Sequence, residues 1–143
     1  MAHQEQRQTG RTRAVTGSSR PAQIFLCEDD PIIRMALEDA VKAAGHRCVF
    51  AAQDRHEALQ ELTARGDVDL AILDVDLHGN RSTAVHHALD ALRIPYILFT
   101  GFDPEQLREM GFGATALRKP ARPEDVVAFA LDHARRQLTG QAA

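Results

Sequence analysis

The chain has 143 residues, 44% of them hydrophobic and 26% charged, which suits one soluble globular domain with a substantial core. A net charge of −3 gives no general case for nucleic-acid binding, and no apolar run approaches the ~18 residues of a membrane span. Cys27 and Cys48 sit in apolar runs without a CxxC pattern, so they read as small buried hydrophobes rather than a disulfide or a zinc site.

Residues 1–21 are polar and without periodicity, and they carry Arg7, Arg11, Arg13 and Arg20 against Glu5 alone. They lack the apolar region of a signal peptide, so they read as a disordered basic leader on a cytoplasmic protein. Regular patterning starts at 22–27, "AQIFLC", a continuous apolar run of the kind found in strands covered on both faces. Asp30 and Pro31 then supply an N-cap and a first helical position, with apolar residues at 32, 33, 36, 37, 40, 41 and 44 and Gly45 as the stop. A second strand is predicted at 47–52. Asp54 followed by Glu57 resembles a capping box, for a helix that buries Ala58, Leu59 and Leu62 and ends near Gly66.

"VDLAILDV" (68–75) is a third strand, followed by a helix marked by Ala84, Val85, Ala88, Leu89 and Leu92. Pro95 opens a fourth strand, "PYILFT", and Asp103-Pro104 starts a short helix with Leu107 and Met110 as its apolar residues. "GATALRKP" (113–120) is the fifth strand, and Pro123 begins a last helix bearing Val126, Val127, Phe129, Ala130 and Leu138. Strands alternating with amphipathic helices predict a (βα)5 α/β fold with a five-stranded, doubly wound parallel sheet over residues 22–138. Residues 139–143 read as a frayed tail.

In such a sheet, ligands bind beyond the carboxyl ends of the strands. The first strand ends in Glu28-Asp29-Asp30, the third in Asp74, the fourth in Thr100-Gly101, and the fifth is followed by Lys119-Pro120. Singly, each has a bland explanation: Asp30 and Asp103 as caps, Thr100 as a strand end. Together, Glu28, Asp29 and Asp74 would crowd three carboxylates into one pocket, a cost that a hard divalent cation such as Mg²⁺ removes. Lys119 and the Thr100 hydroxyl would add donors for an anion at the same place. The chemistry this predicts is phosphoryl transfer to an aspartate, with the lysine neutralising charge on the transferred group.

These residues resemble the receiver domain of two-component response regulators, over about residues 22–138. The resemblance implies a flavodoxin-like strand order of 2-1-3-4-5. It implies that Asp74 accepts a phosphoryl group from a sensor histidine kinase or histidine phosphotransfer protein. Mg²⁺ would be held by Asp29 and Asp74, by Glu28 through water, and by the backbone carbonyl of Asp76. Thr100 and Lys119 would contact the phosphoryl group, and the Lys119–Pro120 peptide would be cis. The implied protein is a stand-alone signalling phosphoacceptor rather than an enzyme. It would catalyse only its own phosphorylation and dephosphorylation, act as a monomer or weak dimer, and present a surface from the fourth helix onward to a downstream protein.

Two positions depart from the family's usual pattern. The fifth strand has Ala116 where an aromatic usually lies, three positions before the lysine. "PYILFTGF" (95–102) instead resembles the Pro-Phe-x-Phe-Ala-Thr-Gly-Tyr signature of a receiver subgroup, largely single-domain and served by kinases of the HWE and related classes. Phe102 is read as a packing residue, with substitution for the missing ring as the alternative. Asp76, two positions past the acceptor, is expected to alter the lifetime of the acyl phosphate. Asp74-Val75-Asp76 also has the D-x-D form of haloacid-dehalogenase-type phosphohydrolases, but that motif normally follows a first strand and has a threonine where His78 stands. A docking adaptor that is never phosphorylated is the remaining alternative. The histidines, among them His46, His56, His86, His87 and His133, form no metal-binding spacing and read as surface residues, and His78 near the site is a possible proton relay.

Overall fold

A strand flanked by helices on both sides has no polar face, so its sequence is an unbroken apolar run. Four of the five runs expected above have that character, and the fold follows from covering them. The computed structural model describes residues 20–140. In chain order the elements are β1 (Gln23–Cys27), α1 (Pro31–Ala43), β2 (Arg47–Ala52), α2 (Arg55–Ala64), β3 (Leu70–Leu73), β4 (Asp76–Leu77), β5 (Asn80–Arg81), α3 (Thr83–Ala91), β6 (Tyr96–Thr100), α4 (Pro104–Glu109), β7 (Ala116–Arg118) and α5 (Pro123–Leu138). Five strands form one parallel sheet in the spatial order β2-β1-β3-β6-β7, which is 2-1-3-4-5 when only the sheet's own strands are counted. The expected (βα)5 flavodoxin-like architecture is therefore present.

Alternation along each strand divides the core in two. Ile24, Leu26, Leu70, Ile72, Ile97 and Phe99 face one side, where α1 and α5 cover them with Leu37, Val41, Val126, Val127 and Ala130. Phe25, Cys27, Ala71, Leu73 and Leu98 face the other, covered by α2, α3 and α4 through Ala58, Leu62, Val85, Leu89 and Leu107. Burying each large side chain contributes roughly 1.5–3 kcal/mol, so the two layers fix the sheet rigidly. Cys27 is buried, as expected, and burial pushes its thiol pKa well above the ordinary range; Cys48 is raised to about 11 for the same reason.

Caps lie where their chemistry predicts. The Asp30 carboxylate accepts from the Ile32 and Ile33 N–H groups, and Asp103 with Gln106 makes a full capping box on the six-residue α4. At α2, Asp54 accepts from Glu57 N–H, but the Glu57 side chain reaches back to Gln53 N–H instead of to Asp54, so the box is offset by one residue. Ser82 occupies the N-cap position of α3 without making a side-chain cap.

Three differences from the sequence reading have clear causes. The third strand is Leu70–Leu73 rather than 68–75, because the chain leaves the sheet at Asp74 to form the β4–β5 hairpin. That hairpin turns on His78 and Gly79, both at positive φ (52° and 81°), the mark of a two-residue turn whose twist matches its strands. The fifth strand is shorter than expected, with only Ala116–Arg118 paired to β6. Of the terminal segments, residues 1–19 and 141–143 lie outside the described residues, so the expected leader and tail fall mostly there. Within 1–21, Arg20 forks onto Asp69 at 3.0 and 3.1 Å, and Asp69 also accepts from Gln23 N–H at 2.7 Å. These contacts tie the chain entering β1 to the start of β3.

Candidate functional site

Parallel register brings the strand ends level. Leu26 lies beside Ile72, Leu73 beside Leu98, and Thr100 beside Arg118. The backbone continues the ladder past the strand ends: Asp74 N–H donates to Cys27 O at 3.0 Å and Lys119 N–H to Thr100 O at 2.8 Å. Glu28, Asp74, Thr100 and Lys119 are thereby gathered at one edge, as expected.

Lys119 is the centre of the arrangement. Its Nζ lies 2.7 Å from Glu28 Oε1 and 2.8 Å from Asp74 Oδ2, at the end of a peptide that is cis to Pro120. Glu28, Asp29 and Asp74 each offer an oxygen, and the three oxygens lie within 4.8 Å of one another. The Asp76 carboxylate is not part of this group. Thr100 is buried, and its Oγ1 accepts from Phe102 N–H at 3.4 Å. Phe102 packs at the edge of the core with the Arg81 guanidinium 5.3 Å above its ring, so the packing role expected for it is present.

The electrostatics follow from crowding and burial. Burial pushes the Glu28 carboxyl up to about 7, in spite of the Lys119 ammonium and Asp30 N–H that favour its charged form. Burial also works against the Lys119 ammonium, but hydrogen bonds to Asp74 and Glu28 outweigh it and raise its pKa. The partners thus respond differently: desolvation dominates on the glutamate, which is 2% exposed, and pairing dominates on the lysine, which is 19% exposed. Pairing thus favours the charged form of Lys119, while burial favours the neutral form of Glu28. For Asp29, burial acts upward, but the His78 N–H at 2.9 Å and the Glu28 side chain outweigh it and lower the pKa. Three carboxylate oxygens gathered within 4.8 Å are a donor set suited to a hard divalent cation, so the residues fit Mg²⁺.

Two residues at the site, Ser82 and His86, were not anticipated, and a third, His78, contributes its backbone rather than only the ring considered as a relay. The His78 backbone N–H holds Asp29, a consequence of the hairpin turn. Ser82 is fully buried and donates its hydroxyl to the Asp74 carbonyl oxygen at 2.7 Å. His86, expected on the surface, is 5% exposed, lies 2.9 Å from Ser82 Oγ, and packs against the rings of Tyr96 and Phe112. Burial lowers its pKa to about 4. Its signal in sequence was its place on the apolar face of α3, one turn after Ser82.

Comparison with known proteins agrees with this geometry. The family model of the response regulator receiver domain matches residues 24–130. The phyllosphere-induced regulator PhyR of Methylorubrum extorquens is 30% identical over 109 residues, 74% of this chain and 41% of that one, so the chain spans less than half of that relative. The solution structure of SdrG from Sphingomonas melonis Fr1 is 35% identical with a TM-score of 0.68, covering 81% of this chain and 98% of the other. The anti-anti-sigma factor PhyR from Bartonella quintana is 28% identical with a TM-score of 0.68, covering 88% and 51%. No helix among the described residues is long and apolar enough to cross a membrane. With its fold, its acidic strand ends and a family match across most of its length, the chain belongs to the response regulator receiver domain family.

Proposed function

We infer that this chain is a stand-alone phosphoacceptor of a two-component relay, with Asp74 as the acceptor and a phosphohistidine of a sensor kinase or phosphotransfer protein as donor. The observation that carries the reading is Lys119 Nζ set between Glu28 and Asp74, beside three carboxylate oxygens gathered within 4.8 Å. The likeness to SdrG, of which this chain covers 98%, supports action as a separate receiver.

In the transfer, an Asp74 oxygen forms a bond to phosphorus as the P–N bond to imidazole breaks, and the imidazole leaves to take up a proton. Asp74 is held for this by Val75 N–H on Oδ1 at 2.7 Å and by Lys119 on Oδ2. Glu28, Asp29 and Asp74, with the Asp76 carbonyl, would hold Mg²⁺, which supplies positive charge against the phosphoryl oxygens. Lys119 moves its hydrogen bond from the Asp74 carboxylate to a phosphoryl oxygen. Thr100 gives up Phe102 N–H and turns its hydroxyl toward the same group, which frees the segment leading into α4. The resulting change of surface over 103–138 would be read by a downstream protein. Asp76 adds a negative charge near the acyl phosphate, and replacing it with asparagine is expected to change the decay rate; equal half-lives would remove that role.

Incubation with a phospho-donor kinase and Mg²⁺ tests the reading. One phosphoryl group per chain, absent in Asp74→Asn, is expected; binding of a partner with no labelling would favour the docking adaptor instead.

A further inference from the structure

An N-cap serine normally turns its oxygen to the free N–H groups of its own helix. Ser82 does not: it makes no cap, is fully buried, and donates to the Asp74 carbonyl oxygen at 2.7 Å. The reason lies in β3, whose last paired residue is Leu73. Asp74 lies past the ladder and is 8% exposed, so its carbonyl would be a buried acceptor without a partner. Ser82 takes the place of the missing strand neighbour, and Ser82 N–H in turn donates to Val75 O at 2.8 Å. The two residues that carry the acceptor are thus clamped to the start of α3.

The hydroxyl has one proton, and a carbonyl can only accept it. The 2.9 Å contact between Ser82 Oγ and His86 Nε2 must therefore be made by the imidazole N–H. This fixes His86 as the Nε2-protonated tautomer, with Nδ1 as its bare nitrogen. The ring is held in that orientation by Tyr96 and Phe112, whose centroids lie 5.3 and 4.8 Å away. Its lowered pKa is consistent with a neutral ring. Tyr96 and Phe112 belong to the start of β6 and to the turn after α4, and both line, with His86 and His133 of α5, a cavity of about 740 Å³. The chain of contacts from Asp74 thus runs through α3 to the start of β6 and the turn after α4, without passing through Ala116.

We propose that Ser82 and His86 are positioning residues for phosphoryl transfer: His86 orients the Ser82 hydroxyl, and Ser82 holds the Asp74 backbone so that the carboxylate faces Lys119. The inference rests on Asp74 being the acceptor, as argued above. Small displacements of a reacting group lower rates steeply, so loss of the clamp acts on the maximal rate rather than on donor binding.

The test measures Mg²⁺-dependent labelling by acetyl phosphate in wild type, Asp74→Asn, Ser82→Ala, His86→Phe and His86→Gln. Ser82→Ala is expected to lower the maximal labelling rate about tenfold at an unchanged half-saturating acetyl phosphate concentration. His86→Phe keeps a ring between Tyr96 and Phe112 but loses the donor, and is expected to fall likewise; His86→Gln returns an N–H and recovers most of the rate. Rates within twofold of wild type for Ser82→Ala and His86→Phe, with Asp74→Asn unlabelled, would overturn the positioning role and leave the acceptor assignment standing. A wild type that takes no label overturns both. Nitrogen-15 NMR of the intact wild-type protein needs no variant: an Nε2-protonated, neutral His86 is expected at pH 7, and the Nδ1-protonated form would refute the role of His86 in orienting Ser82.

Discussion

Replacing Lys119 with glutamine removes the cation that sits between Glu28 and Asp74. Glu28 is 2% exposed and the Asp74 side chain 11%, so both carboxylates would be left facing each other with little water. Breaking a buried pair by deleting one partner costs about 3–5 kcal/mol, and the 19% exposure of Lys119 moves the expectation to about 2–4 kcal/mol in metal-free buffer at pH 8. For a chain of this size that is a fall in Tm of roughly 6–15 °C. The sign of the pH dependence follows from Glu28. Its folded pKa, already raised to about 7 by burial, rises further without the ammonium, against 4.5 for an ordinary glutamate carboxyl. A raised carboxyl pKa means that the folded state holds a proton that the unfolded chain releases, so stability falls as pH rises through that window. The deficit of the variant should therefore be largest at pH 8, shrink toward pH 5, and shrink at pH 8 when saturating Mg²⁺ supplies the missing charge. Urea unfolding at the two pH values, with EDTA or Mg²⁺, measures this. Equal stability of variant and wild type at pH 8 in EDTA would refute the reasoning, as would a deficit that ignores both pH and metal.

His86 predicts the opposite slope in wild type: with its pKa lowered to about 4, stability is complete above pH 6.5 and falls by roughly 3 kcal/mol as pH drops through 4. His86→Phe lacks that group, so the gap between the two proteins should narrow by about that amount between pH 7 and 4, and a constant gap would count against it. Leu98→Ala empties a fully buried position between β3 and β7 and should cost about 3 kcal/mol in urea unfolding while leaving Mg²⁺-dependent labelling intact below the transition. Asp103→Ala deletes the capping box of α4, a helix of only six residues, and should cost about 1 kcal/mol, read as a Tm lower by a few degrees.

The architecture was legible because its signals are local and redundant. Apolar runs such as "QIFLC" and "YILFT" can only be hidden between two layers of helices, and Asp30-Pro31 and Asp103-Pro104 mark helix starts by chemistry that needs no tertiary context. The convergence of Glu28, Asp29, Asp74, Thr100 and Lys119 followed from topology, since parallel strands deliver their ends to one edge. What escaped the sequence reading depended on partners distant in the chain or on unusual backbone. The β4–β5 hairpin turns on His78-Gly79, and a histidine at positive φ is not a turn residue that pattern reading selects. Its consequence, His78 N–H on Asp29, joins residues 49 apart in the chain. The sequence reading does not single out Ser82, and only the early end of β3 shows why its hydroxyl serves Asp74 rather than its own helix. His86 is not recognisable as buried in the sequence, because its burial is made by Tyr96 and Phe112, neither of them near it in sequence.

The most direct test of the central claim is to locate the phosphoryl group. Wild-type protein would be treated with acetyl phosphate and Mg²⁺, the acyl phosphate reduced with borohydride, and the peptides mapped by mass spectrometry. Homoserine at position 74, dependent on Mg²⁺ and missing in Asp74→Asn, is the result predicted. An undiminished label in Asp74→Asn, or one carried by a histidine or by Asp76, would contradict the account.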